Sequence, residues 1–483
     1  MIWGIHVSLA PTWFDPAETA GTVTPFMVLY ALHDTVVKPM PGNLITSSLA
    51  ESWTISTDGL VYEFALRKSV KFHNSDPVTA EDVKFSFERY RGAAHKTLKE
   101  GVAAVETPDP SRVRFRLKRP WPDFMTFYTN ATGAAWIVPR KYVEKVGDES
   151  FKKAPVGAGP YKFVSYMPGV ELVLEAFDQY WRKTPHVKRL VLRVIPDATT
   201  RLAALKRGDV DIAYWLFASL AEDVRRSPGL TLKPVVINAT FWLSFVDQWD
   251  PKSPWHDRRV RLAASLAIDR QAINQAEALG FARLTSSMIP AMFEFFWPPP
   301  AIAFDPTRAR QLMAEAGYAN GLDAGDYFSD AAAASTVGEA VVNYLHASGI
   351  RVKLRPIERA AFNKGNAEKK FKNLVQFATG AFGNSATRIE AFVASGGIYA
   401  YGGYSDIDGL FREQGTELDR KRREALLHRI QQLVHDKTMI APIWQLAALS
   451  GVGPRVEESG LGLIAGYGAS APYEDVKLKT LPR

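Results

Sequence analysis

A mixed α/β fold in more than one lobe is predicted by three features of the sequence. At 483 residues the chain is too long for a single hydrophobic core. Between Val156 and Ala213 two alternating patterns, Leu172/Leu174 and Leu190/Leu192/Val194, read as strands and lead into a helix that Thr199 or Thr200 can cap and Gly208 can stop. From 255 to 460 helical and strand patterns alternate, as in a second α/β lobe.

Composition narrows the class. Hydrophobic content of 47% with 23% charged residues is that of an ordinary globular protein, and no apolar run approaches the roughly 20 residues needed to span a bilayer. The net charge of +8 is spread along the chain, and its densest cluster, DRKRREALLHR, lies on the polar side of an amphipathic helix. A solvated face explains such a run better than a nucleic-acid partner. Zero cysteines exclude disulfides and thiolate metal ligands. The N-terminal MIWGIHVSLAPTWFDP lacks a basic region followed by an apolar run and a cleavage site, so it does not read as a secretory signal.

In chain order, Ile2 to Leu9 is a β-like run, followed by the Pro/Thr/Gly-rich loop APTWFDPAETAGTVTPF. VYEFALR alternates Tyr62, Phe64 and Leu66 against Glu63 and Arg67, a half-buried strand. Thr79 with Asp82 three residues on opens the helix AEDVKFSFERY as a capping box. RVRFRLK turns Val113, Phe115 and Leu117 inward and a basic face outward. After the 156–213 hub, TLKPVVINATFWLSFVDQ reads as strands. A helix is expected from Asp257 to about Ala278, another from Pro306 closed by Gly317, and an Ala-rich one near 331–347. IRVKLRPIE and NLVQFATG read as strands.

Catalytic signatures are missing. The nine His show no HExxH or paired spacing, there is no GxSxG elbow, and GAGPYK lacks the third glycine of a dinucleotide fingerprint. Carboxylate pairs of the glycosidase kind depend on spatial rather than sequence spacing and stay open.

The runs GAGPYKF, YMPG, DQYW and IPDATTRLAALKRGDVDIA, in that order, resemble the solute-binding proteins of ABC importers, in the large subfamily that takes up oligopeptides, dipeptides, nickel chelates and some sugars. LAESWTISTDGLVYEFALRKSVKFHNSDPVTAEDVKFSFER at 49–89, DRRVRLAASLAIDR at 257–270, DPTRARQLMAEAGY at 305–318 and DRKRREALLHRIQQLVHDKTMIAPIW at 419–444 extend the resemblance over nearly the whole chain. It implies an α/β two-lobed periplasmic binding protein of type II, the large peptide-binding type with an extra inserted domain, mixed sheets flanked by helices and a ligand cleft between the lobes. Residues 1–41, 154–254 and 461–483 are then expected to form a discontinuous lobe I, 42–153 its inserted subdomain and 255–460 lobe II. The resemblance also implies a periplasmic location, a membrane permease as partner, a monomeric state, and no cofactor, metal or catalytic residue.

Three loops are candidates for ligand contact. Tyr214 and Trp215 follow the GDVDIA motif, where two large rings can stack on a solute or pack under a hinge. In peptide-binding members the loop corresponding to ATGAFGNSATR, 378–388, carries an aspartate for the peptide's α-ammonium; this chain has no acid between Gln376 and Glu390. Phe382, Asn384 and Ser385 stand there instead, and Arg388 offers a bidentate site for carboxylate or phosphate, its alternative being a surface arginine. Trp242 and Tyr399 form the third group, with Tyr404 and Trp444 read as structural, and Thr24 and Phe26 are candidates from the loop after the Asp-Pro pair. His256 and His346 are the weakest candidates for a nickel chelate. The expected solute is a non-standard or acidic peptide, a conjugate, an opine-like compound or an aromatic acid. An ordinary di- or oligopeptide is the alternative, and an exported hydrolase of a small glycoside or peptide is the rival of another class.

Overall fold

A computed structural model of the chain describes residues 1–19, 24–129, 131–380 and 382–480. The chain forms two compact units, Met1–Val236 with Ala448–Arg483, and Ile237–Ala447. Two long strands, Thr231–Phe245 and Ile440–Val452, carry it across these boundaries.

The first unit is built on a mixed sheet. Tyr161–Met167 and Glu171–Ala176 form an antiparallel hairpin that continues antiparallel into Arg189–Val194; that strand runs parallel to Ile2–Ile5, which in turn runs parallel to Ile212–Ala213. Leu172, Leu174, Leu190 and Leu192 are buried, as their alternation predicts. The helix Ala198–Arg207 ends at Gly208 in the left-handed conformation (φ 77°). Its cap differs from expectation. Asp197 sits at the N-cap and accepts from the Thr200 N–H at 2.7 Å and from the Thr200 hydroxyl at 2.8 Å, because a carboxylate satisfies the positive helix end better than a hydroxyl.

The glycines of GAGP answer to close approach. A Cβ on Gly157 or Gly159 would collide with the backbone at Leu32 and His33. The Gly157 N–H donates to Nδ1 of His73 at 3.2 Å, so the proton sits on Nε2, which reaches the Gly159 carbonyl at 2.9 Å. The DQYW run has an equally concrete role. Asp34, fully buried, accepts from the Tyr180 hydroxyl at 2.9 Å and the Trp181 indole N–H at 2.7 Å, as well as from Ser48 at 2.6 Å, and pairs with Lys38 at 2.8 Å. Arg67 covers the Trp181 ring at 4.5 Å. One carboxylate thus pins the 34–48 segment to the end of the hairpin.

Within the first unit, Ala50–Ile55, Val61–Leu66, Arg112–Leu117 and Val102–Asp109 form a four-stranded antiparallel sheet with its own core, including Phe64, Phe87, Phe115 and Tyr128. The helix Ala80–Arg89 opens as predicted, with the Asp82 carboxylate accepting from the Thr79 N–H and hydroxyl. The basic face of RVRFRLK meets acids on neighbouring strands: Arg114 reaches Glu63 and Arg116 reaches Glu106, each at 2.6 Å.

The second unit pairs Thr231–Phe245 antiparallel to Leu374–Gly380, and places Leu322–Asp330 parallel to both Leu374–Gly380 and Ile350–Ile357. Helices Pro306–Glu315, Ala331–Ala347 and Arg420–Asp436 lie where the periodicity puts them. The single helix expected from Asp257 to Ala278 is two, Arg258–Leu266 and Arg270–Ala278. Asp269 interrupts it by capping the second through the Ala272 N–H, and the buried Arg270 ties the break together by donating to the carbonyls of Ser265, Ile268 and Pro442. In the basic run at 419–429, Arg423 is buried and bonds Gln414, so the helix is less purely a solvated face than its charge suggests.

Candidate functional site

In the first unit the expected pair Tyr214–Trp215 is held by a residue of the preceding helix. Arg201, 2% exposed, donates to the carbonyls of Tyr214 (2.8 Å), Trp215 (2.6 Å), Ile195 (2.6 Å) and Pro196 (2.9 Å). Five fixed donors against four carbonyls make a rigid clamp, and burial lowers the guanidinium pKa. The clamp fixes an unusual backbone: Trp215 has φ 59°, a left-handed conformation that a large side chain adopts only when its surroundings enforce it. Tyr214 is buried, its N–H bonds the Gly4 carbonyl at 3.0 Å, and burial raises its hydroxyl pKa. The Trp215 ring is half-buried and lies flat on His6, with ring centres 5.6 Å apart and planes 16° apart. Phe26 opens the helix Phe26–Leu32 and is buried against Tyr30 and Trp136. Thr24 is half-buried, and its carbonyl accepts from the Met27 N–H. The neighbouring loop residues 20–23 lie outside the described residues.

In the second unit Trp242, Arg388 and Tyr399 belong to one aromatic cluster. Trp242 is fully buried, stacked on Phe377 at 5.3 Å and edge-on to Phe392 at 5.1 Å, and Tyr399 stacks on the other ring of that pair, Phe392, at 5.0 Å. The Arg388 guanidinium lies about equally far from three rings, Trp242, Phe293 and Phe392, at 6.0, 5.8 and 5.7 Å. Arg388 is no surface arginine. It is 3% exposed and donates to the Thr379 hydroxyl and carbonyl, each at 2.9 Å, and to the Asn238 carbonyl at 3.3 Å. Among the described residues no carboxylate bonds it, and burial pushes its pKa down to about 10. Its Nε–H and the amide nitrogen of Asn238 are both buried donors without a partner in the described residues.

The helix Ser385–Phe392 sets the direction of Arg388. Asn384 caps it by accepting from the Thr387 N–H at 3.1 Å, and the Ser385 hydroxyl donates to the Glu294 carbonyl at 2.8 Å. Phe382 is buried beside them, and Ala381 lies outside the described residues. Asn238, Phe293, Phe377 and Phe392 were not legible as site residues, because their relation to Arg388 exists only across strands and loops. Arg201 carried a signal, its place in the TTRLAALKRGD run.

Among the described residues no group of three or more His, Cys, Asp or Glu can hold an ion. His256 and His346 each engage a backbone carbonyl, of Gln248 and Val352, at 2.9 Å. What the second-unit cluster offers is a desolvated cation and an amide donor beside aromatic faces, a combination suited to an anionic group attached to a flat or apolar body.

Residues 45–400 match the model of the bacterial extracellular solute-binding proteins, family 5. Heme-binding protein A of Haemophilus influenzae is 27% identical, with 95% of this chain and 90% of that protein covered. Di/tripeptide-binding protein 2 of Pseudomonas aeruginosa is also 27% identical, over 90% of this chain and 87% of its own length. The crystal structure of NikA from Brucella suis in complex with Fe(III)-EDTA has the same fold, with a TM-score of 0.87, 21% identity and 99% of each chain covered.

Proposed function

This chain belongs to the bacterial extracellular solute-binding proteins, family 5, and serves as the solute-binding component of an ABC importer; on that premise we propose that its solute carries a carboxylate or other anion received by Arg388 and Asn238. The observation that supports this reading most is the pair of buried, unpartnered N–H donors on these two residues, where a desolvated guanidinium has no counter-charge among the described residues. Burying a cation alone is costly, and an arriving anion recovers that cost as binding energy. The rings around Arg388 favour an aromatic or apolar body on the same molecule. Candidates are acidic or N-modified peptides, opine-like N-carboxyalkyl amino acids, sugar conjugates and aromatic acids.

The chain performs no catalytic step in this account: the solute binds, stabilises a closed form by its differential affinity, and is released unchanged to the permease. The working form is a periplasmic monomer without nucleic-acid partners. A thermal-shift panel tests the ligand class, since a solute at 100 times its Kd raises stability by about 2.7 kcal/mol. N-acylated and N-carboxyalkyl dipeptides are expected to raise the melting point, and unmodified dipeptides to leave it unchanged, because these bring an α-ammonium along with the carboxylate and the 378–388 loop holds no acid to pair with it. The reverse pattern overturns the proposal.

A further inference from the structure

The second unit contains a cavity of about 340 Å³ that none of the candidate ligand residues lines. It lies among the helix Arg258–Leu266, the helix Arg420–Asp436 and the loop around 286–303. Leu262 and Leu266, one turn apart, line it and are half-buried, while Met288, Ile389 and Val434 are buried in its walls. The walls are braced. Gln431 accepts from the Trp297 N–H at 3.0 Å and donates to the Phe295 carbonyl at 2.8 Å, and the Thr240 hydroxyl holds the Met288 carbonyl at 2.6 Å.

One end of the cavity is polar and cationic. Arg258, exposed at the rim, is anchored through its Nε to the Asp436 carbonyl at 2.5 Å, and the rest of its guanidinium makes no hydrogen bond or ion pair among the described residues. His435 stands edge-on to Trp297 at 6.0 Å, and its ring nitrogens make no hydrogen bond among the described residues. Burial lowers the His435 pKa, opposed by Asp436 and assisted by Arg258, so the ring is a neutral donor near pH 7. Among the described residues no Asp or Glu lines the space. A largely apolar cavity, partly open to solvent and carrying a few convergent polar groups, is the ordinary form of a small-molecule site, and about 150 Å³ of apolar space already holds a benzene.

We infer that this cavity is a second binding site, for a small amphipathic carboxylate whose apolar tail fills the space between the two helices and whose carboxylate meets Arg258 and His435. Arg388 does not line the cavity, although its neighbour Ile389 forms part of one wall, and the inference does not rest on the transport reading.

The test uses the full chain with 4-phenylbutyrate as probe and 4-phenylbutanamide as its uncharged counterpart. Isothermal titration is expected to show saturable binding of the acid at least tenfold tighter than the amide, with Arg258→Gln weakening the acid at least fivefold. Methyl-resolved NMR of Ile289 and Ile302 is expected to show the perturbation on the unmodified protein, so the result does not depend on any variant folding. Leu266→Trp, which fills the space, is expected to abolish binding while Arg388→Gln leaves it intact. Lack of saturable binding, equal affinity for acid and amide, perturbations that miss Ile289 and Ile302, or loss of binding in Arg388→Gln each overturn the inference.

Discussion

The two histidines that meet the GAGP run make a quantitative prediction about acid. His33 is fully buried with its Nε2 bonded to the Phe14 carbonyl at 2.9 Å, and burial pushes its pKa down to about 4. His73, bracketed by Gly157 and Gly159, is pushed down to about 3, again mainly by burial. Both pKa values lie below the 6.5 of an unfolded histidine, so the unfolded chain binds more protons and stability falls as pH drops below 6.5. For His33 the loss between pH 7 and pH 5 is about 2 kcal/mol, from about 1.4 kcal/mol per pH unit once the unfolded ring titrates. His73 keeps some exposure, and solvent screening halves its share to about 1 kcal/mol. The double variant His33→Gln, His73→Gln removes both titrations and keeps amide donors in place. Urea unfolding of the first unit, followed by hydrogen exchange of peptides spanning 25–40 and 155–165, is expected to show the unmodified chain losing about 3 kcal/mol more than the variant over this interval. Equal losses in the two proteins refute the assignment of acid sensitivity to this contact.

Other perturbations reach the remaining links. Asp34→Asn leaves the buried Lys38 without its counter-charge and only one side-chain oxygen to serve Ser48, Tyr180 and Trp181, and is expected to cost about 3–5 kcal/mol in the unfolding free energy of the first unit. Arg201→Met strands four carbonyls and frees the Trp215 backbone; a loss of about 3 kcal/mol and a changed near-ultraviolet signal are expected, whereas a loss under about 1 kcal/mol contradicts the clamp. Arg388→Gln is expected to leave the melting temperature of the ligand-free protein unchanged or slightly raised, since it removes a desolvated charge, and to weaken an anionic solute at least thirtyfold, about 2 kcal/mol.

Periodicity and motif order carried the fold a long way. Leu172, Leu174, Val113 and Phe115 point inward as their alternation requires, and Gly208 closes its helix in the left-handed conformation. The capping of the 198–207 helix and the break at 267–269 were less visible, because Asp197 and Asp269 compete with adjacent threonines and a continuous apolar stripe, and the winner depends on local hydrogen bonds. At the candidate site, the missing acid in the 378–388 loop and the arginine at its end were legible, and the burial of that arginine was not. Whether a guanidinium faces water or three rings is decided by Trp242, Phe293 and Phe392, which come from separate parts of the chain. The partner amide of Asn238 was hidden for the same reason.

The proposed uptake of an intact anionic solute through Arg388 has a direct test. Native mass spectrometry tests it directly, by presenting the protein with an equimolar mixture of unmodified dipeptides and their N-carboxyalkyl and N-acyl derivatives and reading the mass that remains bound. Retention of an unaltered derivative is expected, with that peak lost in Arg388→Gln. Retention of unmodified dipeptides alone, or release of a cleaved product during incubation, would contradict it.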